Sequence, residues 1–424
     1  MKKIAFVAAM SALCMLATSC EQGYNGDYAD YQRVALQSEI TGVQPMTGIV
    51  VWNTSGYRVQ EAVQLEYSYM LYNEVCKEKD VFDWSPMEKL LSEVAARGNQ
   101  AIVRFRYTYP GKTSAVPDYI KALPDYEQMT AKSEGNDTEF PDWRHPELQR
   151  FHKEFHRRFA ERYDKDPRLA FVQTGFGLWA EYHIYDGLFL MGRTFPSKEF
   201  QKEFMLGMDE WFEDCSWSIS IDAADNTYGP FRMDNSLLNL PFGNFDDSFM
   251  SKDHDDYNQR MWKFFGEERY KHSPFGGEFN YYTTDDQRHC LDREGWHGRL
   301  FEDEVAKYHM TYIIGNDQPR YQKPDRIKEA AMSMGYKYRI DDFRVKGTSV
   351  AVSITNIGVA PIYRDAWVAV GGKRGEFNLR GLQPGQQEWV CINDCYTQGA
   401  VPAIECDHLV KGQVIEYEAN VVVE

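Results

Sequence analysis

LAFVQTGFGLWAEYH, residues 169–183, is the stretch whose reading decides the fold. An apolar, strand-like run stops at Gly175 and delivers Trp179, Glu181 and His183 in one small cluster. Apolar runs bounded by glycine read as strands buried on both faces, the kind found in parallel sheets. A carboxylate among aromatics just past such a strand end stands where barrel enzymes hold their catalytic groups. Desolvation there can raise its pKa enough for general-acid work. Glu181 then needs a partner carboxylate at a matching strand end.

Upstream, GIVVW at 48–52, VQLEYSYMLY at 63–72 and QAIVRFRY at 100–107 have the same strand texture. SPMEKLLSEVAARG at 85–98 is an amphipathic helix that starts on a serine cap and closes on glycine. A polar excursion from Pro110 to Trp143 is long enough to be a functional loop. HPELQRFHKEFHRRFAERY at 145–163 is the next helix. Its His152 and His156, beside Arg157 and Arg158, read as a solvated face rather than a ligand pair. Downstream, helices over 197–214, 256–270, 301–309 and 325–335 alternate with strand-like segments at 217–223, 240–249, 274–282 and 311–317. Eight strand–helix units across 45–335 predict an α/β fold, the (β/α)8 TIM barrel. A doubly wound sheet alternates similarly, but no Gly-rich phosphate turn follows the first strands. Beyond Gly335 the runs are short, alternating and broken by Gly, Pro and Asn. Residues 336–424 are therefore expected to form a small all-β, immunoglobulin-like sandwich.

Lys2 and Lys3 precede an apolar stretch, Ile4 to Ala17, that is too short to span a membrane. It ends in Leu16-Ala17-Thr18-Ser19-Cys20, which resembles a bacterial lipobox. That resemblance implies a signal peptide over 1–19, a lipidated Cys20 and an exported, membrane-anchored protein on the outer membrane, on its periplasmic side or at the cell surface. The alternative is an ordinary secretory signal with a chance Cys. Residues 20–44, polar and weakly patterned, read as a tether. A net charge of −17 argues against nucleic acid as a partner. Aromatics are 15% of the chain, with 10 Trp and 27 Tyr, an excess suited to stacking on sugar faces. Among the cysteines, Cys391, Cys395 and Cys406 are near enough in sequence for one disulfide. No CxxC or HExxH spacing occurs, so neither a metal nor another cofactor is expected.

With 169–175 as the fourth strand, Gly276-Gly277-Glu278 puts a second carboxylate at the end of the seventh, across the barrel mouth. Retaining glycoside hydrolysis needs such a pair, one group to protonate the leaving oxygen and one about 5 Å away to attack the anomeric carbon. The paired glycines would let backbone approach a ligand. Alternatively, Glu278 caps a helix or pairs with an arginine. Arg104 and Arg106, at alternate positions of the third strand, point to one face. An inward arginine either holds a substrate carboxylate, which hints at an acidic sugar, or forms a buried ion pair with a barrel carboxylate. Asp246 and Asp247 after the sixth strand, and less so Asp222 and Asp225 after the fifth, are candidates for binding hydroxyls. Trp52, Tyr107, Trp179 and His183 are candidate stacking walls and polar edges, with core packing the alternative for each.

The segment from Leu65 to Phe105 resembles the clan A glycoside hydrolase barrel, whose second strand is followed by an E-x-x-x-G-x-[FY]-D-[FW] turn. Here it runs from Glu74 to Trp84, with Asp80 where the family often has Gly. Through GLWAEYH, GNFDDSF, PFGGE and NIGVAPIYR the chain is similar to a group of Bacteroidetes lipoproteins with a β-galactosidase-like barrel and a C-terminal β-domain. The resemblance implies that Glu181 is the acid/base and Glu278 the nucleophile. It also marks a departure, because Ala180 stands where the clan usually has an Asn that bonds the sugar 2-hydroxyl. The expected function is a retaining glycoside hydrolase acting on a poly- or oligosaccharide. The alternative is a non-catalytic glycan-binding lipoprotein on a degenerate barrel.

Overall fold

The computed structural model describes residues 28–56 and 60–423. The leader and Cys20 lie outside the described residues. Eight parallel strands close into a barrel: β1 (Gly48–Trp52), β2 (Leu65–Leu71), β3 (Gln100–Arg106), β4 (Leu169–Thr174), β5 (Trp217–Ser220), β6 (Gly243–Phe249), β7 (Phe275–Phe279) and β8 (Tyr312–Ile314). Each pairs in parallel with its sequence neighbours, and β8 returns to β1. The eight segments expected as strands are the eight barrel strands, with ends moved by a few residues.

Strand alternation sorts the side chains into two populations. Tyr67, Ile102, Phe171, Tyr312 and Ile314 share one cluster inside the barrel, whereas Val103, Phe105, Leu169, Val172, Trp217 and Ile219 join the surrounding helices. The helix α1 (Pro146–Tyr163) shows how that outer layer is built. Proline occupies its first turn, and the His145 side chain accepts the Glu147 amide. Leu148, Phe151, Phe155 and Phe159 then repeat at helical spacing and are fully buried or nearly so. Each such side chain contributes about 2 to 3 kcal/mol. His152 and His156 lie on this buried face, not on a solvated one. The Tyr107 hydroxyl lies 3.0 Å from His152 Nδ1, and His156 Nδ1 lies 2.9 Å from the His152 carbonyl. Burial pushes both imidazoles below their usual range, His156 to about 4, so they are neutral core residues.

The C-terminal strands form two sheets. In one, β9 (Tyr338–Lys346) lies between β10 (Ser349–Asn356) and a strand at Tyr417–Val421, with Gln387–Ile392 beyond β10. The other pairs Ala366–Val370 with Lys373–Asn378 and Pro402–Cys406. The expected tether is partly built into this domain. Gln32–Arg33 pairs with β9, and Leu36–Ser38 pairs with Tyr417–Val421. Alternating residues there bury Leu36 and complete the sheet. Cys391, Cys395 and Cys406, near enough in sequence for one pair, are free thiols. Their strands carry backbone hydrogen bonds and an apolar core, and the fold closes without a cross-link.

The sandwich covers the barrel's N-terminal end. Arg364, 1% exposed, donates to the carbonyls of Asp164 (3.0 Å) and Leu169 (2.9 Å) at the entry to β4. The Tyr363 hydroxyl donates to the Tyr270 carbonyl ahead of β7. One apolar cluster runs from the barrel interior into the sandwich core. The opposite, C-terminal mouth is left to the loops. No helix among the described residues is long and apolar enough to cross a membrane.

Candidate active site

The turn that carries Glu181 is closed by its own backbone. The amides of Phe176 and Gly177 donate to the Glu181 carbonyl (3.2 and 2.7 Å), and the Leu178 amide donates to the His183 carbonyl (3.0 Å). A β-carbon at Gly175 would stand 2.2 Å from the Ala180 carbonyl oxygen, and one at Gly177 would stand 2.0 Å from that of His183. Only glycine fits at either place. Trp179 and Ala180 hold φ values of 54° and 57°, a left-handed conformation that costs about 1 kcal/mol or more for each residue with a β-carbon. The strain sits directly before Glu181.

Glu181 is 3% exposed and both of its oxygens are engaged. Arg104 Nη1 donates to Oε1 at 2.6 Å, and His183 Nε2 lies 2.9 Å from Oε2. The same Nε2 lies 3.3 Å from Asp247 Oδ2. Arg104 donates from Nε and Nη2 to Gln173 Oε1 (2.9 and 2.6 Å), and Gln173 donates onward to the Tyr312 hydroxyl at 2.7 Å. Of the two readings open for an inward arginine, Arg104 takes the buried ion pair. Its guanidinium also lies 4.1 Å from the centre of the Phe245 ring. Arg106, one inward position nearer the mouth, makes no ion pair with any described residue.

Glu278 is a contrast. It is 9% exposed, and its carboxyl group takes no hydrogen bond from any described residue. Burial first, and then the charge of Glu181, push its pKa well above the usual carboxylate range, with Arg104 opposing. Burial would lower the His183 ring, but its hydrogen bonds to Asp247 and Glu181 hold it well above its ordinary value. Asp247 is held low despite burial by the hydrogen bond and charge of His183. Asp222, receiving the Ser220 hydroxyl, is raised to about 7 by burial and by the charge of Asp247. The mouth thus holds Glu181 between Arg104 and His183, His183 shared with Asp247, and Glu278 apart from these contacts.

Glu181, His183 and Asp247 are the described residues whose donor atoms gather closely enough to hold a metal ion, all within 4.8 Å of one another. Each is already hydrogen-bonded through those atoms, and a cation there would have to displace the shared His183 proton.

The structure brings Glu181, Glu278, Arg104, His183, Trp52 and Trp179 to one mouth. Trp52 packs against Tyr67 and Tyr69 at ring distances of 5.0 and 5.3 Å. Trp179 stacks on Tyr185 at 5.9 Å and meets Tyr109 edge-on at 6.1 Å. Two expected residues are elsewhere. Tyr107 turns outward and stacks on Tyr72 at 4.0 Å beneath α1. Asp246 also turns outward, where it accepts hydrogen bonds from the Ser248 amide (2.8 Å), Asn258 (2.9 Å) and the Trp262 indole (3.0 Å). Strand alternation is the cause in both cases, because Arg104 and Arg106 take the inward positions of β3 and Phe245 and Asp247 those of β6. Of the two aspartates expected after the sixth strand, Asp247 is the one that enters the mouth, and counting by twos from Phe245 selects it. The paired glycines ahead of Glu278 also serve the protein itself. A β-carbon at Gly276 would lie 2.2 Å from the Tyr312 ring, and one at Gly277 would lie 2.5 Å from the Asp246 carbonyl oxygen.

No protein-family model and no curated protein matches the chain. Among solved structures, the chain is similar to a trimodular endoglucanase, at 11% identity over 90% of this chain and 79% of that one, with a TM-score of 0.40. It is similar to an endo-1,4-beta-xylanase from Caldicellulosiruptor owensensis, at 11% identity over 68% and 85%, with a TM-score of 0.37. It is also similar to an alpha-galactosidase from Thermus thermophilus in complex with p-nitrophenyl alpha-D-galactopyranoside, at 13% identity over 75% and 66%, with a TM-score of 0.39.

Proposed function

We propose that this protein is a retaining glycoside hydrolase that uses Glu181 and Glu278 on a poly- or oligosaccharide. The observation that carries the reading is the unequal state of two buried carboxyl groups on opposite strands of one mouth. Both Glu181 oxygens are engaged, by Arg104 and His183, whereas Glu278 takes no hydrogen bond from a described residue and burial pushes its pKa upward. Glycoside hydrolysis needs that division, with one carboxyl holding a proton and one holding a charge. The roles we propose are therefore opposite to those the clan resemblance implies, with Glu278 as acid/base and Glu181 as nucleophile. Ala180 fits the exchange, since the amide that usually accompanies a strand-four acid/base is missing.

In the first step Glu278 gives its proton to the glycosidic oxygen as the C–O bond breaks, and a Glu181 oxygen bonds the anomeric carbon. In the second step Glu278, now ionised, takes a proton from water, and the hydroxide displaces Glu181 from the sugar. His183 and Arg104 hold Glu181 in orientation throughout. The rim aromatics Trp52, Trp179 and Tyr185 offer faces for sugar rings. The leader and Cys20 support export and a lipid tether.

A panel of aryl glycosides and polysaccharides tests the activity, and azide rescue tests the roles. E181A with azide should yield a glycosyl azide of inverted anomeric configuration, and E278A one of retained configuration. The reverse outcome restores the roles implied by the clan. Engagement of both Glu181 oxygens favours one other reading, a glycan-binding module. It predicts sugar binding by the wild type with no turnover of any panel member.

A further inference from the structure

We propose that Arg106 is an anion subsite, so that the sugar bound at this mouth carries a carboxylate or an ester sulfate. The inference rests on the mouth being a sugar site and goes beyond the hydrolysis itself. Arg106 is the last residue of β3, two positions after Arg104 and so about 6.6 Å nearer the rim on the same inward row. Arg104 is used up by Glu181 and Gln173. Arg106 is not. Among the described residues no carboxylate lies within ion-pair distance of it, none hydrogen-bonds its guanidinium, and none offers an acceptor to its buried Nε. Glu74, exposed on the surface, acts on it only through its field.

What holds Arg106 in place is aromatic. Its guanidinium lies 4.6 Å from the centre of the Tyr109 ring and 5.7 Å from that of Tyr69. Tyr109 in turn meets Trp179 edge-on. Such stacking fixes the plane of the guanidinium while leaving its N–H fork open. Burying a charge without a counter-ion is costly, and arginine does not relieve the cost by losing its proton. A planar or tetrahedral oxyanion that accepts two N–H groups at once relieves it. A sugar ring standing against Trp179 and Tyr109 would bring an acidic substituent to that fork. The protein's net charge of −17 does not forbid this, because charges beyond about 8 Å are screened at physiological salt.

The test is binding, measured by affinity electrophoresis and calorimetry, with E278Q used to suppress turnover. The probes are polygalacturonate, alginate and glucuronoxylan, each beside the same polymer after carbodiimide–borohydride reduction of its carboxyl groups. Carrageenan and its desulfated form make up a second arm. The expected result is binding to at least one anionic polymer, at least tenfold weaker for its neutralised counterpart. R106Q should show the same loss at an unchanged melting temperature. R106K should recover part of the affinity, which keeps the test valid if R106Q melts early. The arm that responds identifies carboxylate or sulfate. Equal binding of charged and neutralised polymers, full affinity in R106Q, or no binding to any anionic polymer overturns the subsite. Arg106-dependent binding without turnover leaves the subsite standing and removes the hydrolase reading. Turnover of a glycoside with no Arg106-dependent binding of any anionic polymer does the reverse.

Discussion

Arg104 and Glu181 form an ion pair of 2.6 Å in which the side chains are 1% and 4% exposed. Neither charge has water to fall back on, so each depends on the other. Removing one partner of a buried pair typically costs about 3 to 5 kcal/mol. R104M should therefore lower unfolding stability by about that amount in urea titrations. R104K should recover little of it, because one ammonium cannot serve both Gln173 and Glu181. The double variant R104M/E181L should lose less than the sum of the single changes.

E181Q and E278Q should part company. Both should lower turnover by about a thousandfold or more, as expected for groups that act as a unit. E181Q also leaves Arg104 without its counter-charge and should destabilise by about 2 to 4 kcal/mol. E278Q replaces an unbonded carboxyl, whose charged form burial disfavours, with a neutral amide and should leave the melting temperature unchanged or raised. Melting curves beside assays of both variants decide the point.

The acid cluster should make stability fall as pH rises. His183 has a higher pKa in the fold than its usual 6.5, so its contribution is complete below about pH 6.5 and is lost as pH rises through the folded value. Asp222 acts in the same direction over an earlier window. Folded, it keeps its proton up to about pH 7, whereas unfolded it ionises near 3.8. Each proton bound only in the fold gives a slope of up to about 1.4 kcal/mol per pH unit. Urea unfolding from pH 4 to 9 should show the decline, with D222N flattening the acid half and H183Q the alkaline half.

Gly276 faces the Tyr312 ring inside the barrel. G276A would put a methyl carbon 2.2 Å from that ring, where Tyr312 also receives the Gln173 hydrogen bond. Overpacking of this kind costs about 1 to 3 kcal/mol, and here it would also shift the strand that carries Glu278. Loss of stability and of turnover together is the expected result. Loss of neither would mean that the barrel interior yields.

Arg364 caps two carbonyls at the foot of β4 from the sandwich side. R364A leaves both carbonyls unsatisfied in a buried interface, at about 1 to 3 kcal/mol each. Calorimetry should then resolve two transitions, sandwich and barrel, where the wild type shows one.

The run from Leu169 to His183 already held the outline of this protein. Its apolar period marks a doubly buried strand and its glycines mark a sharp exit. Seven more segments of the same texture close the barrel, because parallel strands buried on both faces leave a strong local signal. The same reasoning placed Glu181 and Glu278 at strand ends and paired the arginines on one inward row, since strand ends and period-two alternation are local properties. The tertiary structure decided which side each neighbour takes. Tyr107 and Asp246 stand beside inward residues in the chain and face the helices in the fold, and Asp247 takes the place in the mouth. It also decided which partners each charge meets. Arg104 and Arg106 look alike in sequence, but one is closed by Glu181 and Gln173 and the other is left open over Tyr109. Pairing across a barrel is a long-range contact between residues 77 positions apart, and burial sets its strength, so neither is written in the spacing of the residues themselves.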